Sequence, residues 1–318
     1  MPESPADLGS AMNVRPAITI VTPCLNRAEM IVATVESVRD QVLDGPIEHL
    51  VMDGGSTDET LDILRQYPDV TVISEPDSGL YDALNKGIAR AKGSIVGILN
   101  SDDVYRPGAI RKAVEAFASA TAAAMVCGGA EVVDGPAGGD TVIRRYDSTE
   151  NRSLDPQDLL LGVPIVNARF YRRALFERIG LFDTRYKIVA DRDFLLRAAL
   201  AGVEAAPIEG AVYAYGSHGG SLTIGGIGAR RRIAEETIEM AEDWLGRTPP
   251  ISGAAGRSMK RLHAQCVLVC IVDCLRRGDL GGASRWAGRA ARSNGLWPID
   301  AVGAVGVWAK RRVRMEWA

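Results

Sequence analysis

The chain has 318 residues, 47% hydrophobic and 24% charged, with a formal net charge of −3. That is enough for one large domain, or a domain with an appendage, of ordinary globular composition. The charge makes no overall case for nucleic-acid binding. No apolar run reaches the roughly 18 residues of a spanning helix, and MPESPADLGSAMNVRP lacks the features of a signal peptide. A cytoplasmic protein with a lead-in over residues 1–16 is expected.

In chain order, the first half alternates. AITIVT (17–22) is β-branched and predicts a strand, and 29–41 has helical spacing. EHLVMD (48–53) predicts a second strand. STDETLDILRQY opens on a capping signal, Ser56 or Thr57 ahead of Asp58 and Glu59, and predicts a helix. A strand at 70–74, a helix at 80–92, a strand at 94–100 and a helix at 111–119 follow. Such alternation implies an α/β fold, with a mostly parallel sheet covered by helices on both faces.

The pattern then loosens. AAMVCGGAEVVD and DTVIRRY predict two strands around a glycine-rich turn, and 147–162 reads as a polar loop. VPIVNARFYRRALFERIGLFD holds a short strand and a short helix. A helix is predicted at 190–202 and a strand at 211–215, before the glycine-rich GSHGGSLTIGGIGA. From about Arg230 the chain reads as helix throughout: 230–245, 259–277, 282–292 and 298–314. A boundary near Gly225 separates a domain over 17–225 from a helical region over 226–318.

Cys266, Cys270 and Cys274 fall at helical spacing, one turn after His263. Ligands stacked along one helix climb about 5.4 Å per turn and do not converge on a tetrahedral ion. A buried helix face is expected instead.

In an open parallel sheet, ligands bind beyond the carboxyl ends of the strands. Here those ends read Thr22-Pro23-Cys24-Leu25-Asn26-Arg27, Asp53-Gly54-Gly55-Ser56, Glu75-Pro76-Asp77-Ser78-Gly79 and Asn100-Ser101-Asp102-Asp103. Gly54 and Gly55 let a ligand approach the backbone, and Asp53 suits an imide N–H or a ribose hydroxyl. Asp58 reads as a helix cap. Adjacent Asp102 and Asp103 could cap a helix, form a surface turn or hold a divalent cation. The last fits best, because Mg²⁺ or Mn²⁺ takes one or two carboxylates and leaves sites open for phosphates.

PCLNR, VMDGGSTDET, EPDSGLYDALNKGIARAKG, GILNSDD and VADRDFLLR, in this order, resemble the family 2 glycosyltransferases of the GT-A fold. The EPDSGLYDALNKG form is similar to the bacterial branch that builds O-antigens and exopolysaccharides. The resemblance implies that Thr22 and Pro23 border the nucleobase and that Asp53 contacts it. It implies that Asp102 faces ribose or metal, that Asp103 holds the metal on the diphosphate, and that Asp191 is the base. Two positions depart from the pattern: Ala190 replaces a frequent Glu, and Gly54 a frequent second Asp. Asn26, Gly55 and Ser101 belong with the donor site by their place at strand ends. Asp82, Asn85 and Lys86, at helical spacing, are either donor contacts or a solvated face. His218, in the glycine-rich segment, is expected to reach the diphosphate or the acceptor. Asp193 supports the site or caps its helix.

The implied activity is inverting transfer of a sugar from a nucleotide-diphosphate donor, UDP-linked, with Mn²⁺ or Mg²⁺. The implied acceptor is a growing lipid-linked glycan. The rival readings are a sugar-nucleotidyltransferase and a non-catalytic nucleotide-sugar-binding module. From Gly281 onward there are seven Lys or Arg against two acidic residues, and four of the five tryptophans. Either these helices lie on the inner face of a membrane, or Trp286, Trp297 and Trp308 pack against protein.

Overall fold

The computed structural model describes residues 15–135, 139, 141–162, 166–217 and 226–303. Strands β1 (Ile18–Cys24), β2 (Ile47–Asp53), β3 (Val70–Ser74) and β4 (Ile95–Ile98) alternate with helices α1 (Ile31–Arg39), α2 (Thr60–Leu64) and α3 (Leu80–Arg90). They line up as β3-β2-β1-β4, every pair parallel. All seven residues of β1 are buried, as befits a strand covered on both faces. α1 buries Ile31, Thr34, Val35 and Val38, the face that the helical spacing predicts. α3 approaches β1 closely, because a Cβ at Gly87 would collide with Val21.

Next come β5 (Val104–Tyr105), α4 (Ala109–Ser119), β6 (Met125–Asp134), β7 (Val142–Tyr146), α5 (Ser148–Asn151) and α6 (Pro156–Leu161). The sheet is completed by β8 (Arg169–Arg172), α7 (Arg173–Ile179), α8 (Ala190–Leu200) and β9 (Ala205–Ser217). It continues past β4 as β8-β6-β9-β5, with β7 on β6. β8 runs antiparallel to both neighbours, and β9 runs parallel to β6.

Three differences from the sequence reading have local causes. β5 has only two residues, too few to show a pattern. Within the predicted polar loop, Pro156 opens α6 and the Asp155 carboxylate accepts from Gln157 N at 2.7 Å. That is a helix start written in polar residues. β9 is longer than predicted because it follows β6 across a register shift near Gly129.

Helices α9 (Gly226–Leu245), α10 (Gly253–Arg276) and α11 (Leu280–Ser293) complete the described chain, with 297–303 also helical. They share the main core. Met240, Ala241, Trp244, Met259 and Leu262 pack in one cluster with Tyr171, Phe176, Phe182 and Phe194. Cys270 and Cys274 are buried in these helices, and His263 Nε2 faces Glu242 at 3.4 Å. Among the described residues, no helix is long and apolar enough to cross a membrane.

Candidate active site

Parallel register brings the strand ends to one edge: Cys24 lies opposite Asp53, and Asp53 opposite Ser74. The first two loops then latch together. Asn26 takes a positive φ of 52° and accepts from Thr57 N at 2.8 Å, while its own N–H donates to Ser56 Oγ at 2.8 Å. Asp58 accepts from Thr60 N at 3.1 Å and from Ala28 N at 3.2 Å. Glu59 occupies the N-cap position of α2, so Asp58 is not its cap; it ties the start of that helix to the loop after β1.

Asp53 is buried and turned into its own loop. It accepts from Gly55 N at 3.1 Å, from Ser56 N at 3.1 Å and from Ser74 Oγ at 2.7 Å. Gly55 has a φ of 94°. The departure at Gly54 has a steric cause: a Cβ there would collide with the Asp77 carboxylate. Asp77 thus fills the space that a side chain at position 54 would take. Thr22 and Pro23 are buried. Thr22 Oγ1 lies 2.9 Å from His49 Nε2, and burial pushes that imidazole down to about 4 and keeps it neutral.

On α3 the three expected contacts brace the fold. Asp82 accepts from Ser78 N at 2.9 Å and lies 3.2 Å from Lys86 Nζ. The Lys86 ammonium donates to the Pro76 carbonyl at 2.7 Å. Asn85 bridges to Phe182, donating to its carbonyl at 2.8 Å and accepting from its N–H at 3.0 Å.

At the end of β4 the two carboxylates divide. Ser101 is buried. The Asp102 side chain is 18% exposed and stands 3.9 Å from the Arg27 guanidinium, whose Nε is buried without a hydrogen-bond partner among the described residues. Asp103 is 3% exposed. It accepts from Tyr213 Oη at 2.6 Å, Gly216 N at 3.0 Å and Asn100 Nδ2 at 3.0 Å. Burial, aided by the neighbouring Asp102 charge, still pushes it up to about 7. A hard divalent cation would relieve that like-charge pair. The donors fit such an ion only with substrate oxygens added, since no group of three or more His, Cys, Asp or Glu suited to a metal occurs among the described residues.

Asp191 lies in the first turn of α8. Val189 occupies the N-cap position, so Asp191 is not the cap. Burial pushes its carboxyl up to about 6, against the opposing effects of the Arg192 charge and N–H and of the Tyr81 hydroxyl. Ala190, where the pattern favours Glu, is fully buried in the core, so a glutamate there would need a buried partner. Asp193 accepts from Trp244 Nε1 at 2.9 Å and pairs with Arg197 at 2.8 Å, so it ties α8 to α9 rather than capping a helix.

β9 contributes what the sequence reading missed. Tyr213 and Gly216 hold Asp103, and the half-buried Tyr215 has its phenol pushed up by burial and then by the charges of both Asp103 and Asp191. The two key carboxylates therefore share one neighbourhood. The available signal was the alternation in VYAYGS, which puts Tyr213 and Tyr215 on one strand face just before the glycine-rich segment. His218 lies outside the described residues.

The family model for "Glycosyl transferase family 2" matches residues 19–180. A PGL/p-HBAD biosynthesis glycosyltransferase of Mycobacterium bovis (strain BCG / Pasteur 1173P2) is 34% identical over 188 residues, covering 57% of this chain and 69% of its own length. Two solved structures share the fold. S. aureus TarS 1–349 in complex with UDP-GlcNAc has a TM-score of 0.53 at 17% identity, covering 84% of this chain and 89% of its own. The mannosyltransferase PcManGT from Pyrobaculum calidifontis, in complex with GDP-Man and Mn²⁺, has a TM-score of 0.55 at 20% identity, covering 96% and 90%. The strand-end motifs, the mixed sheet and these matches lead to one conclusion: the chain belongs to glycosyl transferase family 2 and is a glycosyltransferase of GT-A fold.

Proposed function

We propose that the protein is a metal-dependent, inverting transferase acting in the cytoplasm. It moves one sugar from a UDP-sugar to a hydroxyl of a growing, lipid-linked glycan of the bacterial cell surface. The observation that carries this reading is that the charges of Asp103, held by Tyr213 and Gly216 of β9, and of Asp191 both act on Tyr215. Asp102 and Asp103 would hold a divalent cation, which when bound supplies Lewis-acid stabilisation of the leaving diphosphate. Asp191 takes the proton from the acceptor hydroxyl, and its raised proton affinity suits a base working near neutral pH. One base and a diphosphate leaving group suffice for direct displacement, whereas a glycosidase needs two carboxyls flanking the bond. A thermal-shift panel of nucleotide sugars with Mn²⁺ tests the donor. At about a hundred times its Kd, a UDP-sugar should add about 2.7 kcal/mol of stability and raise Tm. No shift with any nucleotide sugar would sink the reading.

Contact with a membrane draws support from charge rather than from tryptophan. Trp286 and Trp297 pack against α9 and α10, and Trp308 lies outside the described residues. Residues 253–318 carry twelve Lys or Arg against four Asp or Glu, a net +8, within a chain of net −3. Leu268, Val269, Val272 and Leu275 form an exposed stripe on α10, and Leu296, Ile299 and Val302 are exposed beyond α11. A basic segment that also exposes apolar side chains fits an anionic lipid surface. Co-sedimentation should occur with vesicles containing phosphatidylglycerol and weaken with salt. Equal failure with neutral and anionic vesicles would remove the proposal.

A further inference from the structure

The segment Lys187–Val189, which leads directly into α8, is held by one side chain from α9. Glu236 accepts from three consecutive backbone N–H groups: Lys187 at 2.5 Å, Ile188 at 2.6 Å and Val189 at 2.8 Å. Val189 is the N-cap of α8, and Asp191 follows two residues later. Two further bonds fix the same segment from the α3 side. The Tyr81 hydroxyl donates to the Ile188 carbonyl at 3.0 Å, and Lys187 Nζ donates to the Ser78 carbonyl at 2.9 Å. The bond from Trp244 Nε1 to Asp193, also from α9, secures the first turn of α8 a second time. Asp191 is thus placed by a helix that shares none of the motifs of the sheet edge.

Three N–H donors on one carboxylate are charge-assisted bonds, among the stronger kinds available. A glutamine there offers a single acceptor oxygen, and its NH₂ would face donors. We infer that Glu236 is a positioning residue for the base, holding the α8 entry so that the Asp191 carboxylate meets the acceptor hydroxyl in a reactive geometry. This inference rests on the assignment of Asp191 as the base. It makes the C-terminal helices part of the catalytic apparatus as well as a cover for the core.

The test compares Glu236→Gln and Glu236→Ala with Glu239→Gln, an exposed position on the same helix, and with Asp191→Asn. Misplacement of about 1 Å costs on the order of 100-fold in rate, so kcat should fall about 10- to 100-fold in both Glu236 variants. KM for the donor should stay within about twofold, and Glu239→Gln should match wild type. The pH profile separates positioning from lost folding. Asp191 is faced by Tyr81 from α3, Tyr171 from β8, Tyr215 from β9 and its neighbour Arg192. A loosened entry admits water and moves the acidic limb of kcat below the position of about 6 expected for the wild type. A lower rate with the limb unmoved, or an unchanged kcat, would overturn the inference. An inactive Asp191→Asn beside a fully active Glu236→Gln would overturn it alone. A fully active Asp191→Asn would overturn the base assignment and this inference together.

Discussion

Replacing Asp191 by asparagine is expected to lower kcat by about 10²- to 10⁴-fold, the range for loss of a general base. Donor KM and UDP affinity should change little, because the group acts on the acceptor proton and not on the nucleotide. In the wild type, kcat should fall below a pH of about 6, where the raised carboxyl becomes protonated. The sign for stability is opposite. A carboxyl whose folded pKa is raised favours the folded state fully below its unfolded value, about 3.9, and that advantage is lost as pH rises through 6. At pH 8 Asp191→Asn should therefore melt higher, by on the order of 1–2 kcal/mol once partial exposure is discounted. Single-turnover rates and thermal melts at pH 5 and 8 check both signs. Full activity in the variant would remove Asp191 from the mechanism.

The second large effect is expected at Asp103. Asp103→Ala leaves Tyr213 Oη, Gly216 N and Asn100 Nδ2 without their acceptor. An orphaned buried donor costs about 1–3 kcal/mol, and relaxation shares the loss, so a total on the order of 3 kcal/mol is expected. The Mn²⁺-dependent part of UDP binding should vanish as well. Asp102→Ala, on a partly exposed side chain, should leave the metal-free melt within about 1 kcal/mol of wild type. Calorimetric titration of UDP with and without Mn²⁺ separates the two residues. If Mn²⁺ dependence survives in Asp103→Ala and is lost in Asp102→Ala, the metal contact belongs to Asp102 and Asp103 is a brace.

The parallel half of the fold was readable because its β-branched runs are buried on both faces and its helices keep a regular apolar face. Val70–Ser74 matches its predicted bounds. The second half was harder for physical reasons. β5 is too short for periodicity, α6 starts in polar residues, and β9 takes its length from β6 rather than from its own composition. At the site, the strand ends were identified from position alone. Their orientations were not: Asn26 and Asn85 spend their polar groups on loops tens of residues away, which local spacing does not show, and Asp53 turns into its own loop and onto Ser74. The collision between Gly54 and Asp77 is similar: a motif departure that reads as a loss in sequence becomes a spatial exchange in the fold. Glu236 carried no local signal, since an acidic residue on an amphipathic helix reads as a solvated face.

The core shared between the sheet and α9–α10 bears on how the chain is made. Phe176, Phe182 and Phe194 are buried partly against Trp244, Met259 and Leu262, which are synthesised tens of residues later. A nascent chain that has just completed β9 therefore presents an unfinished aromatic surface, and the loop before α8 has yet to meet Glu236. During that interval the growing polypeptide is open to wrong partners. The last third of the sequence closes the window, so the enzyme acquires its shape and the setting of its proposed base at the same late moment of translation.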